Sequence, residues 1–423
     1  MAFDGGQSQG VKAGVQPLNL GVGRRSDLDW LRVIAFGLLI LFHAGLVYAP
    51  FDWHIHSRHT ETWLRWGIYL TGPWRLTLLF FISGCALRLM SRKLSAGSVL
   101  KARLARLVPP ALFGVLILVP PQAWLEAIDK GSFHGGLVAW WIQQFSPAGL
   151  AAGVPVNHIW FVIYILVYSV LATALIALPA VHRRISAALG WALSSLTVIA
   201  LPILYLTLVR QGLFLRWGVT NHLSEDWYNH AMSFGVFMLG FLVVGENGFW
   251  RAAIRWRWAA LAVTAVALPA LIVVESAPAT TPESWWLSLL FSTDQWATIA
   301  AILGFGAVHL QNRDGPVLRY LSQAVFPCYL AHQTILVFAV WTIRPLNLPV
   351  GLEAPILVGA TVGGCLAIYE IVRRINLIRP LWGLKPLPRR VLEASPVLRP
   401  TPTPAPPTAS ARPETPALTA EAA

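Results

Sequence analysis

The chain has 423 residues, 56% of them hydrophobic and only 12% charged, with a mean hydropathy of +0.59. Soluble domains carry about twice that share of charge, so a soluble globular enzyme, a disordered chain and a disulfide-stapled secreted domain are all excluded. The net charge of +13 lies in short clusters between apolar runs, as juxtamembrane charges do, and not in a nucleic-acid-binding patch.

Residues 1–26 are polar and Gly-rich, read as a disordered cytoplasmic segment, and no signal-peptide core follows at the usual distance. From residue 27 to 375 the chain alternates apolar runs with short polar ones. Runs of about 20 apolar residues can cross a bilayer. They fall near 28–49, 68–90, 109–127, 158–179, 189–209, 229–245, 258–275, 286–310, 322–343 and 353–372. The expected fold is therefore an all-α polytopic membrane protein with about ten transmembrane helices.

The first span carries Asp29, Arg32 and His43. Eleven residues are close to three helical turns, so Arg32 and His43 share a face, about 16 Å apart along the axis. Ionisable groups inside a span are costly and usually face the bundle interior. The bland alternatives are a snorkelling arginine and a packing histidine. Asp29 lies about 21 Å from His43 along the same helix, so its expected partner is Arg32. Just past this span stand Trp53, His54, His56 and His59, an aromatic and imidazole cluster suited to a sugar; no carboxylate or cysteine completes a metal-ligand spacing.

The second span contains the run Phe80-Phe81-Ile82-Ser83-Gly84 and ends at Arg88. A basic stretch follows, with Arg103 and Arg106 one turn apart on one helix face before Pro109-Pro110. That pair could grip a phosphate group, although positive-inside loops are basic in any case. The Gly-rich segment 128–157 has room for a short amphipathic helix. Asn157-His158-Ile159-Trp160-Phe161 then opens the fourth span, and Ser322, Tyr329 and His332 lie in the ninth, the last two on one face. Cys85, Cys328 and Cys365 sit far apart in apolar stretches and read as small buried hydrophobes. Beyond residue 375 a Pro/Ala/Thr-rich tail, 376–423, is too poor in apolar residues to order itself.

With the N-terminus inside, inner segments hold 23 Lys and Arg against 6 in outer ones, so both termini are expected in the cytoplasm and the chain in the inner membrane.

Taken in order on ten spans, these residues resemble the acyltransferase-3 family of integral membrane proteins over about residues 26–375. The matching residues are Asp29, Arg32 and His43, the Phe80–Gly84 run, Arg103-x-x-Arg106, His158-Ile-Trp160-Phe161 and Tyr329-x-x-His332. Trp53-His54-Ile55-His56-Ser57 most resembles the branch associated with glucan biosynthesis and the succinylation of periplasmic glucans. Segment 128–157 matches no motif of the family.

The resemblance implies transfer of an acyl group from cytoplasmic acyl-CoA (succinyl-CoA or acetyl-CoA) to a hydroxyl of an envelope glucan or other carbohydrate, beside any glucan synthesis or export machinery. No permanently bound cofactor, metal or nucleic acid is implied. His43 would be general base, or carry the acyl group covalently, with Arg32 and Asp29 on the same helix. Arg103, Arg106 and Arg88 would hold the CoA phosphates. Trp53, His54, His158 and Trp160 would meet the acceptor, and Tyr329 or His332 could bond the thioester oxygen. Competing readings are transfer to a lipid, an amine or another small molecule, a transporter or flippase of an envelope precursor, and a scaffold for polysaccharide export.

Overall fold

Inside a bilayer the backbone has no water to bond, so an apolar segment satisfies its own N–H and C=O groups as a helix. Helices are the only regular elements among the residues described by the computed structural model, 24–276 and 284–387. The chain begins with α1 (Ser26–Leu46) and α2 (Leu64–Ser91). Next, α3 (Ala96–Phe113) passes through a π turn at Gly114–Leu118 into α4 (Val119–Asp129), followed by the short α5 (Leu137–Gln144) and α6 (Pro147–Ala152). Then come α7 (Trp160–Ile176), α8 (Pro179–Ala192), α9 (Thr197–Val209), the single turn α10 (Leu215–Trp217), α11 (Trp227–Val243) and α12 (Asn247–Arg255). The helices α13 (Arg257–Ser276), α14 (Trp285–His309), α15 (Pro316–Ile343) and α16 (Val350–Val372) precede a 3₁₀ turn at Arg379–Trp382.

Local chemistry sets the ends. Ser95, Ser146 and Ser284 each accept a backbone N–H in the first turn of α3, α6 and α14, which satisfies a donor the helix cannot. Pro147, Pro179 and Pro316 open helices where a missing N–H costs nothing.

Among the described residues, eight helices are long and apolar enough to cross a membrane, or nine if α11 and α12, bent by 107°, count as one span. The remaining expected stretch, 286–310, is α14. Its Ser288, Ser292, Asp294 and Gln295 lower its hydropathy and are all buried. A helix enclosed by α2, α9, α12 and α13 meets protein on most sides and so need not be uniformly apolar. Segments 91–108 and 189–209 also differ from expectation. Most of the first is the helix α3. The second is split between α8 and α9, because the Ser194 and Thr197 hydroxyls donate to the Trp191 and Ala192 carbonyls and end α8. The 128–157 segment holds two short helices, α5 and α6, where one was expected.

The expected tail boundary at 376 is too early. Residues 376–387 include the Arg379–Trp382 turn, and Trp382 is buried with its ring 5.3 Å from that of Phe113. Residues 1–23 and 388–423, the bulk of both expected tails, lie outside the described residues.

The π turn has an identifiable cause. Pro120 and Pro121 have no N–H to give to the carbonyls one turn back. Leu116 is one of those residues, and its carbonyl accepts the Trp141 indole N–H at 2.9 Å. The Leu118 carbonyl accepts from Gln122 and from the Thr334 hydroxyl, both at 3.0 Å. The bend therefore ties α3 and α4 to α5 and α15.

Apolar helices in lipid gain little from burial itself, so they associate by close packing, often at small residues. Between α2 and α11 the fit is reciprocal. A Cβ at Gly84 would overlap the Phe237 carbonyl oxygen, and one at Gly240 would overlap that of Phe81. The Cys85 thiol donates to the Gly240 carbonyl at 3.3 Å. Gly84→Ala or Gly240→Ala should therefore destabilise the protein by about 1–3 kcal/mol, the usual cost of overpacking. Thermal unfolding in detergent would read this as a lowered midpoint, whereas Gly37→Ala, with open space at its Cβ, should be nearly neutral.

Candidate active site

The second half of α1 and the loop after it, the first half of α2, the end of α4, the entry to α7 and the middle of α15 line a cavity of about 880 Å³. Of the residues singled out in the sequence, His43, Trp53, His54, His158, Trp160 and Tyr329 line it. His332 is fully buried behind His43.

The histidines are joined by directional bonds that assign their protons. His332 Nδ1 lies 2.6 Å from the Tyr329 carbonyl oxygen. A carbonyl only accepts, so Nδ1 carries the proton and a neutral His332 presents a bare Nε2. That Nε2 lies 3.0 Å from His43 Nδ1, which must therefore donate. The remaining nitrogen of His43, Nε2, is left with a lone pair. Trp53 stacks on the His43 ring at 5.0 Å and limits its rotation.

His158 is fixed in a complementary way. Its Nε2 donates to the Leu330 carbonyl at 3.1 Å, leaving Nδ1 buried and without a partner. Its own carbonyl accepts the Tyr329 hydroxyl. His54 is held at both nitrogens: Nδ1 contacts Glu126, and Nε2 accepts the Gln333 amide at 2.6 Å. Glu126 also accepts from Lys130 at 2.7 Å, and this bond holds the Lys130 ammonium above the usual lysine range. His56 turns away to the Val47 carbonyl, so the imidazoles that cluster in sequence do not converge in space.

Other sequence candidates stand elsewhere. Asp29 and Arg32 pair at 3.2 Å at the opposite end of α1 from His43. There Arg24 also reaches Asp29, at 2.7 Å, and Arg32 donates to the Ser322 carbonyl at 3.3 Å. Neither residue touches the His43 cavity. On α3, Arg103 is half-buried and Arg106 exposed, and Arg106 lies near enough to Arg32 for their charges to act on each other. Arg88 is not with them. It lines a separate cleft of about 230 Å³ with His182 and Arg183 and donates to the Ser91 hydroxyl at 3.1 Å. The expectation that Tyr329 or His332 gives a hydrogen bond to a reacting oxygen also meets an obstacle. The Tyr329 hydroxyl and the His332 N–H are both already given to carbonyl groups.

Sequence reasoning passed over Gln122, Glu126, Gln333 and the 220–222 loop. Gln122 joins Thr334 at 2.6 Å to Asn157 at 3.1 Å. Thr220, Asn221 and His222 line the cavity because Asp226 accepts the backbone N–H groups of Thr220 and Asn221 at 3.0 and 3.1 Å. A polar side chain in an apolar run was the available signal for the glutamines; the loop carried none.

Comparison with known proteins gives one family model, described as "Acyltransferase domain", over residues 25–370. Proteins named "Glucans biosynthesis protein C" from Escherichia coli strains K12 and O17:K52:H18 are each 22% identical, covering 88% of this chain and 98% of theirs. No solved structure matches. Since the family model covers most of the chain and the helices are long and apolar enough to cross a membrane repeatedly, the chain belongs to this acyltransferase family and is a multi-pass membrane enzyme.

Proposed function

We propose that the protein moves an acyl group, succinyl or acetyl, from cytoplasmic acyl-CoA to a hydroxyl of a periplasmic or cell-envelope glucan, with His43 as general base. The observation that carries this reading is the unprotonated Nε2 of His43 at a cavity large enough for an acyl chain and a sugar residue. The 23 to 6 bias of basic residues supports an inner-membrane protein with both termini cytoplasmic. The Arg32 end of α1 is then cytoplasmic and the His43 cavity opens toward the periplasm. The glucan-related relatives support a carbohydrate acceptor, as do the tryptophan and amide side chains around the cavity.

In this reading the CoA phosphates rest on Arg103 and Arg106, with Arg32 adding charge nearby. The thin pantetheine arm carries the thioester toward His43. Nε2 of His43 removes the proton of the acceptor hydroxyl as its oxygen attacks the thioester carbonyl. The tetrahedral intermediate collapses with cleavage of the C–S bond, and the departing thiolate takes the proton back from the imidazolium. The products are an ester and free CoA. His332 is a positioning residue: by accepting from His43 Nδ1 it keeps the base in the reactive tautomer. His158, Trp160, Trp53 and His54 contact the acceptor, and the bare Nδ1 of His158 can accept from one of its hydroxyls.

His43→Ala should lower turnover by about 10²–10⁴-fold while the protein still folds and inserts. Release of free CoA by purified protein supplied with acyl-CoA and glucan would measure this, and wild-type turnover would exclude the base role. His332→Ala should lower kcat on the order of 10-fold or more with little change in KM, because the tautomer is no longer held. His332→Gln, whose amide oxygen can accept from His43, should recover much of that loss. Joint replacement of Arg103 and Arg106 by Ala should raise the apparent KM for acyl-CoA and leave that for the glucan nearly unchanged. A wild-type donor KM would argue against phosphate binding there.

A further inference from the structure

The His43 cavity contains a charge that the proposed mechanism does not use. Arg75, in α2, is only 1% exposed and lines the cavity together with His43. A guanidinium stays protonated in proteins, and an unpaired charge removed from water is strongly disfavoured. Yet its one side-chain hydrogen bond is to the neutral Thr71 hydroxyl, at 3.0 Å, and its Nε is buried with no partner. No carboxylate among the described residues pairs with it. The two acidic groups in the cavity wall, Asp52 and Glu126, are engaged by Lys130, and Glu126 by His54 as well. Such a cation is built to receive an anion from outside the chain.

Its position limits which anion. The guanidinium carbon lies 3.8 Å from the centre of the Phe42 ring, and that ring is 5.6 Å from the His43 imidazole. Arg75 and His43 line one cavity, with the Arg75 charge near enough to act on the imidazole, so Arg75 flanks the reacting position at the reach of a short acyl chain. A thioester and a sugar hydroxyl are both neutral, and the proposed phosphate anchors, Arg103 and Arg106, lie outside this cavity.

We propose that Arg75 binds a carboxylate at the distal end of the transferred acyl group and is the residue that selects a carboxyl-terminated donor over a neutral one. This rests on the reading of acyl-CoA as donor and His43 as base. It separates the two donors that reading leaves open, in favour of the one with a free acid. The fork of N–H groups left on Arg75 suits a carboxylate, and charge-assisted bonds of this kind are the stronger ones.

The test compares succinyl-CoA with butyryl-CoA, which has the same four-carbon length but ends in a methyl group. Binding and turnover are measured on full-length protein in detergent micelles. Wild type should prefer succinyl-CoA. Arg75→Gln should lower kcat/KM for succinyl-CoA by about 10- to 100-fold, the loss of one charge-assisted bond, while leaving or improving butyryl-CoA. Arg75→Lys, which keeps the charge, should retain a reduced preference for the acid. Turnover of butyryl-CoA by Arg75→Gln also reports that the variant is folded. Equal loss of both donors in Arg75→Gln and Arg75→Lys, or no discrimination by wild type, would overturn the assignment of Arg75 and leave the base role of His43 intact. Failure of wild type to bind either thioester would overturn the donor reading and this inference with it.

Discussion

The hydrogen bond between His43 and His332 fixes the state of the proposed base. Imidazole has two nitrogens and, when neutral, one proton, so fixing one nitrogen decides the other. Here the decision begins at a backbone carbonyl. The Tyr329 carbonyl accepts from His332 Nδ1–H, His332 Nε2 accepts from His43 Nδ1–H, and a lone pair is left at the cavity. A carbonyl one turn back on α15 is a more rigid reference than a side chain, and the nearly parallel stacking of Trp53 and His43 adds resistance to rotation. The proposed site is thereby preorganised before any substrate arrives, which is where much of the advantage of such an arrangement would come from.

The surrounding helices serve that arrangement through the need to satisfy polar groups away from water. Prolines 120 and 121 break the α3–α4 ladder. Trp141, Gln122 and Thr334 answer the carbonyls around the break, and so the irregular backbone is tied to α15, the helix that carries His332. Irregular backbone at membrane depth is tolerated where protein faces it, and this break lies against α5 and α15. Gln122 also holds Asn157, at the entry of α7, so His158 beside it is brought to the same cavity. On the opposite flank, Gly84 and Gly240 allow α2 and α11 to touch at backbone distance. That contact seats α2, and with it Arg75.

Charge is distributed along the length of α1 in a way that suits the proposed entry of a donor from one side and an acceptor from the other. The Arg32 end carries a cluster of arginines, partly offset by Asp29 and Asp314. The His43 end carries imidazoles, indoles and amides, with Arg75 as a buried cation and the Lys130–Glu126 pair in the cavity wall. The sites proposed for a polyanionic carrier and for a polyhydroxylated acceptor are thus chemically distinct and separated by about the 16 Å that the helical rise gives between Arg32 and His43.

The sequence by itself determined what depends on local composition and helical period. Apolar length marked the membrane helices, the eleven-residue spacing set Arg32 and His43 on one face, and the ordered motifs identified the family. Tertiary structure alone decided which of those residues meet. His43 and His332 are 289 positions apart, and nothing in either segment specifies the other as its partner. Arg88, near the end of α2, lines a cleft apart from Arg103 and Arg106. Arg75 lies within a span, yet having no carboxylate partner among the described residues is a property of its surroundings on several helices. A one-dimensional pattern reports what each segment requires of its environment; which neighbour meets that requirement, or leaves it unmet, depends on how the helices pack.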